Sequence, residues 1–182
     1  MKVTWLGGSS ILIEDGKRIY IDPYFDDKGS LPYADIILVS DWSEHGFREC
    51  IEKLRTDETI ICGNRDTCAE FDGAILMSGQ QEIKGVKITT TGTQELGFVI
   101  DKEIYYLGDA EFIPKEKVTL LIMPIGLNGM NKSIEIVNKI KPEAVLPIHW
   151  GGRMALSEDE IQLFSERIKT KVLIIKPGEF IE

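Results

Sequence analysis

Histidine is nearly absent from this chain: there are two, His45 and His149. Any site built on imidazoles therefore has few candidates. Cysteine is also sparse, and Cys50, Cys62 and Cys68 show no CxxC spacing. An odd count of this kind fits a reducing compartment better than a disulfide framework, so a cytoplasmic location is expected. These thiols read either as a metal or redox cluster or as small buried apolar side chains. No apolar stretch approaches the length of a membrane span; the longest surrounds Leu120 to Leu127. No basic segment followed by an apolar one opens the sequence, so no secretory leader is expected. Positive charge is in short supply too. Against 30 Asp+Glu stand 21 Lys+Arg, a formal charge of −9, and no basic run exceeds a pair such as Lys17-Arg18. Clustered Lys and Arg are what hold nucleic-acid phosphates and anionic membrane surfaces. Neither is expected as a partner, and a small-molecule substrate is. The oligomeric state is left open.

What is present is the composition of a folded protein, 43% hydrophobic and 28% charged over 182 residues. That length predicts one domain spanning 1–182. The first third reads as short β-branched strands at Lys2–Leu6, Ser10–Glu14 and Arg18–Asp22, with Asp15-Gly16 as a hairpin turn. Ile36–Val39 has the continuous apolar character of a fully buried strand. A helix through Phe47, Cys50, Ile51 and Leu54, a strand at Thr59–Cys62 and a helix capped by Asn64 follow. Strands are then predicted at Ala74–Leu76, Val86–Thr90, Leu96–Ile100 and Glu103–Leu107. The last part alternates strands (Val118–Met123, Ala144–Ile148, Lys171–Ile175) with two helices, one capped by Asn131 and one opened by the capping box Ser157-x-x-Glu160. Meanders joined to βα units imply two sheets or one mixed sheet, with helices on the outer faces.

Both histidines follow apolar strands, and Tyr105–Asp109 likewise ends a strand in Gly-Asp. Carboxyl ends of strands are where loops aim functional groups into one crevice. Two imidazoles and a carboxylate form a ligand set for Zn, Mn or Fe with positions open for water or substrate. Glu44, beside His45, is a candidate fourth ligand or general base. Each residue also has a plainer reading: the histidines as caps, Asp109 as a turn former, Glu44 as a solvated loop carboxylate. Trp42 and Trp150 either wall a substrate pocket or pack a loop over the sheets. Arg153 either holds an anionic substrate group through its planar fork or is a surface side chain. Asn128 and Arg65 lie on loops and are assigned no role.

The segments Val3–Glu14, Arg18–Pro23, Ala34–Ser40, Gly97–Ile100, Tyr105–Asp109, Met123–Gly126 and Lys141–Trp150 together resemble a metallo-β-lactamase-fold protein. The resemblance is closest to the branch of metal-dependent hydrolases that includes ascorbate-6-phosphate lactonase. It implies an α/β fold, a four-layer αββα sandwich of two mixed sheets with helices outside, and a metal site at one sheet edge. The family's hallmark His-x-His-x-Asp-His loop is degenerate here, as Ser40-Asp-Trp-Ser-Glu-His-Gly46. Asp41 and Ser43 stand for its first two histidines, and Glu44-His45 for the Asp-His pair. The family's next histidine is missing from Thr90–Gln94, and Gly8 replaces a His of the family's opening. Carried over, the first metal position has lost its histidines. The second keeps His45, Asp109 and His149, with Glu44 for Asp.

Asp22, before Pro23, matches an Asp-Pro turn that orients a site loop. The resemblance implies a hydrolase with at most one divalent metal, zinc foremost, with Glu44 or Asp41 as base and Asp109 beside the ion. Its substrate is a small lactone, ester or phosphorylated metabolite. The alternative is a catalytically inactive descendant, without metal, that binds a ligand or partner.

Overall fold

A computed structural model describes residues 1–25, 31–109, 112–125, 129–150 and 156–182. The strands are β1 (Lys2–Gly7), β2 (Ser10–Glu14), β3 (Arg18–Ile21), β4 (Ile36–Leu38), β5 (Ile60–Gly63), β6 (Ile75–Leu76), β7 (Gln80–Ile83), β8 (Val86–Thr91), β9 (Gly97–Ile100), β10 (Ile104–Tyr106), β11 (Leu120–Pro124), β12 (Ala144–Ile148), β13 (Lys171–Val172) and β14 (Phe180–Ile181). The helices are α1 (Trp42–His45), α2 (Arg48–Leu54), α3 (Arg65–Glu70), α4 (Met130–Ile140) and α5 (Glu158–Arg167).

Two seven-stranded sheets result, in the orders β14-β1-β2-β3-β4-β5-β6 and β13-β12-β11-β10-β9-β8-β7. Both are mixed. In the first, β3 to β6 run parallel. In the second, β10 to β13 run parallel. Alternation along the strands sorts side chains between faces. Val3, Trp5, Ile11, Ile13, Ile19, Ile21, Ile36 and Leu38 join side chains of the second sheet in one buried core. The intervening Leu12, Tyr20, Ile37 and Val39 bury the other face against Ile51 and Leu54 of α2 and Phe71 beyond α3. Ile136 and Val137 of α4 and Ile161 and Phe164 of α5 pack on the second sheet. The four-layer sandwich expected from the sequence is the fold observed.

Local departures have local causes. Helix α4 starts at Met130 with Gly129 (φ +84°) as its cap, rather than at a cap supplied by Asn131. The Asn131 side chain instead accepts from Arg167 at 2.8 Å, tying α4 to α5. The closing strand ends at Val172, and β14 pairs with β1 of the other sheet. The Ser157 capping box forms as expected. Among the described residues, no helix is long and apolar enough to cross a membrane.

A candidate metal centre at the sandwich edge

Because β3–β6 and β10–β13 are parallel blocks, the segments following β3, β4, β10 and β12 lead away from the carboxyl ends of their strands. Those segments carry Asp22, His45, Asp109 and His149. Three of the backbone positions here are left-handed: Asp22 (φ +47°), Gly108 (φ +60°) and His149 (φ +63°). A non-glycine residue held in such a conformation costs on the order of 1–3 kcal/mol and gathers where function demands an unusual aim.

Asp22 anchors the loop after β4. Its buried carboxylate accepts from the Ser40 backbone N–H at 2.7 Å and the Ser40 hydroxyl at 2.6 Å. The Tyr106 hydroxyl, from the other sheet, lies 2.7 Å from Asp22 Oδ2 and 3.0 Å from the Ser9 carbonyl. Burial pushes the Asp22 carboxyl above its ordinary pKa, although the charge of His45 and the hydrogen bonds from Ser40 and Tyr106 oppose this. Burial, then the charge of Asp22, holds the Tyr106 phenol well above its own. This clamp joins the end of β3, the start of the His45 loop and the end of β10 across the sandwich.

From that anchor, Asp41 caps the four-residue helix α1. Its Oδ1 accepts from the Ser43 N–H and the Ser43 hydroxyl, both at 2.9 Å. Gly46 ends the helix where a Cβ would collide with the Trp42 ring and carbonyl. This brings His45 Nε2 to 3.1 Å from Asp109 Oδ2. Burial disfavours the imidazolium, but the Asp109 hydrogen bond and the charges of Asp22, Asp109 and Asp41 outweigh it, raising the His45 pKa. The hydrogen bond from His45 leads in lowering the Asp109 pKa. Burial opposes it, and the charges of His45 and His149 add to it. Asp109 therefore feels both imidazoles. Gly108 is required before it, since a Cβ there would sit 2.7 Å from the Leu96 carbonyl oxygen.

The other sequence candidates fall in different places. Glu44 is exposed on α1. Trp42 is half-buried and meets Phe71 edge-on at 5.4 Å. Trp150 is buried, 5.5 Å from Trp5, and donates to the Pro147 carbonyl at 3.1 Å. Arg153 and Asn128 lie outside the described residues. Arg65 begins α3. All three cysteines are free, and burial pushes Cys62 up to about 12 and raises Cys68, which suits inert thiols. Sequence reasoning missed Tyr106 and Ser40 as the partners that hold Asp22.

A two-metal site does not fit. Asp41 and Ser43, at the positions of the missing loop histidines, are bonded to each other. Thr91, in the segment lacking the family's next histidine, is spent on the Tyr105 hydroxyl at 2.9 Å. For a single ion, His45, Asp109 and His149 have suitable chemistry. Only His45 and Asp109 are in contact, however. Among the described residues, no three His, Cys, Asp or Glu side chains are grouped as an ion requires.

Two facing mixed sheets with outer helices define the metallo-β-lactamase class of fold. A family model described as a beta-lactamase superfamily domain matches residues 2–149, and the chain belongs to that family. Among its relatives is a UPF0173 metal-dependent hydrolase of Methanosarcina barkeri, 26% identical with 100% of this chain and 98% of that protein covered. A UPF0173 protein of Pyrococcus furiosus is 30% identical, with both chains covered in full. The solved structure of Igni18, a metallo hydrolase from Ignicoccus hospitalis, superposes with a TM-score of 0.80 at 18% identity, covering 99% of this chain and 97% of that one.

Proposed function

We propose that this chain is a hydrolase that uses one divalent metal ion, with His45, Asp109 and His149 as its ligands. Its substrate class is a small lactone, ester or phosphorylated metabolite. The observation that carries this reading is the 3.1 Å contact of His45 with Asp109 across the two sheets. The description of the M. barkeri relative as a metal-dependent hydrolase supports it. Three N and O donors suit zinc first, and manganese or iron next. Such an ion supplies a Lewis acid for a carbonyl or phosphoryl oxygen and makes water more acidic.

The chain's own groups do the rest. Asp109 fixes the His45 ring, and Asp22, through Ser40, fixes the loop that carries it. The exposed Glu44 carboxylate accepts the proton of the attacking water. Asp41 can share that role through Oδ2, since both of its contacts to Ser43 are made by Oδ1. Binding an ion also requires the His149 ring to close on the His45–Asp109 pair.

Hydrolysis of simple esters and phosphate esters at pH 7–8 tests the proposal. Activity lost on chelation, restored by zinc or manganese and absent in His45→Ala is the expected result. Activity that survives both chelation and His45→Ala overturns it. The second reading, a non-catalytic binding protein, draws on the ungrouped third ligand. It predicts no turnover with any added metal.

A further inference from the structure

Beside the candidate centre lies a cavity of about 430 Å³, within the range of small-ligand sites. One wall is Gly46 and Phe47, directly after His45. Tyr24 and Phe25, just past Asp22, line it as well. Tyr24 and Phe47 are 47% and 38% exposed, although their ring centroids are only 4.5 Å apart. Two large aromatic side chains left partly open to water in a cavity lining are a surface that an apolar group can cover.

The cavity's charges point the same way. Arg48, the guanidinium in its lining, bonds the Glu70 carboxylate and carbonyl at 2.7 Å, pairs with Glu52 at 3.7 Å, and lies 4.6 Å from the Phe71 ring centre. Lys53 is already engaged as well. Glu49, exposed in the same lining, repels an anion.

We infer that this cavity takes the uncharged aryl or acyl group of an ester or lactone, in preference to a phosphorylated substrate. The inference rests on the hydrolase reading for what is cleaved, but the binding itself does not depend on a metal.

Phenylacetamide, an uncharged aryl amide, separates the two by amide-resolved NMR titration. It is expected to shift residues 46–50 equally in the wild type and in His149→Ala. Phe47→Ala and Tyr24→Ala each weaken binding about tenfold, the effect of losing ~1.4 kcal/mol of aromatic contact. Phenyl acetate is expected to be cleaved in preference to phenyl phosphate. If the amide leaves residues 46–50 unshifted, or if phenyl phosphate binds there more tightly, the inference is wrong. Should the amide bind as described by a protein that cleaves nothing, the hydrolase reading fails and the pocket stands. Should esters be cleaved while the amide misses the pocket, the pocket fails alone.

Discussion

Replacing Tyr106 with Phe removes one oxygen from the middle of the sandwich and keeps the ring, so packing is conserved. The lost hydroxyl lies 2.7 Å from Asp22 Oδ2 and 3.0 Å from the Ser9 carbonyl. Its single proton serves one of these acceptors at a time. When Asp22 is protonated, Asp22 donates to the phenol oxygen and the phenol to Ser9. In either state the variant leaves a buried polar group short of a partner. That costs about 1–3 kcal/mol, with the upper end for a charged acceptor. Taking ~2 kcal/mol, and 2–4 °C per kcal/mol for a chain of this size, Tm falls by about 4–8 °C.

Tyr105→Phe is the control. Its hydroxyl contacts Thr91 and the Phe112 carbonyl, both at 2.9 Å, in a partly buried setting with no buried carboxylate. A smaller loss, ~1 kcal/mol, is expected there. Calorimetry of both variants against the wild type decides the matter. A Tyr106→Phe protein within about 1 °C of the wild type, or less affected than Tyr105→Phe, refutes the clamp.

Gly108→Ala meets both a left-handed backbone and the Leu96 carbonyl, so a loss of at least ~1–2 kcal/mol is expected in chemical denaturation; a neutral effect counts against the placement of Asp109. Asp41→Ala removes the α1 cap and is expected to cost about 1 kcal/mol, with Asp41→Asn recovering most of it in the same denaturation assay. In metal-free protein the raised His45 pKa makes its pairing with Asp109 stabilising below its ordinary value of 6.5, a contribution lost as pH rises through the raised value. The lowered Asp109 pKa makes its share present above 3.8 and lost as pH falls through the lowered value. An NMR titration of the His45 ring checks this: the midpoint is expected above 6.5 and to drop in Asp109→Asn, and a midpoint at or below 6.5 contradicts it.

The core strands were legible because alternation and β-branching are local. The caps at Asn64 and Ser157 were legible because each is a short-range pattern of side-chain oxygen and backbone N–H. Helix α1 was not, since four residues carry no period; Asp41 announces it only as a cap, which looks like any loop carboxylate. Strand β7, Gln80–Ile83, is a polar edge strand and lacks an apolar signature. At the site, His45 and Asp109 were found through their strand ends, and the structure puts them in contact. The hydrogen bond from Tyr106 to Asp22 spans 84 residues of sequence, and nothing local to either residue foretells it.

Metal stoichiometry tests the central claim most directly. Elemental analysis of protein purified without added metal, then exposed to zinc and washed, is predicted to give about one equivalent in the wild type and none in a folded His149→Ala variant. Two equivalents, or a wild type that retains none, contradicts the account.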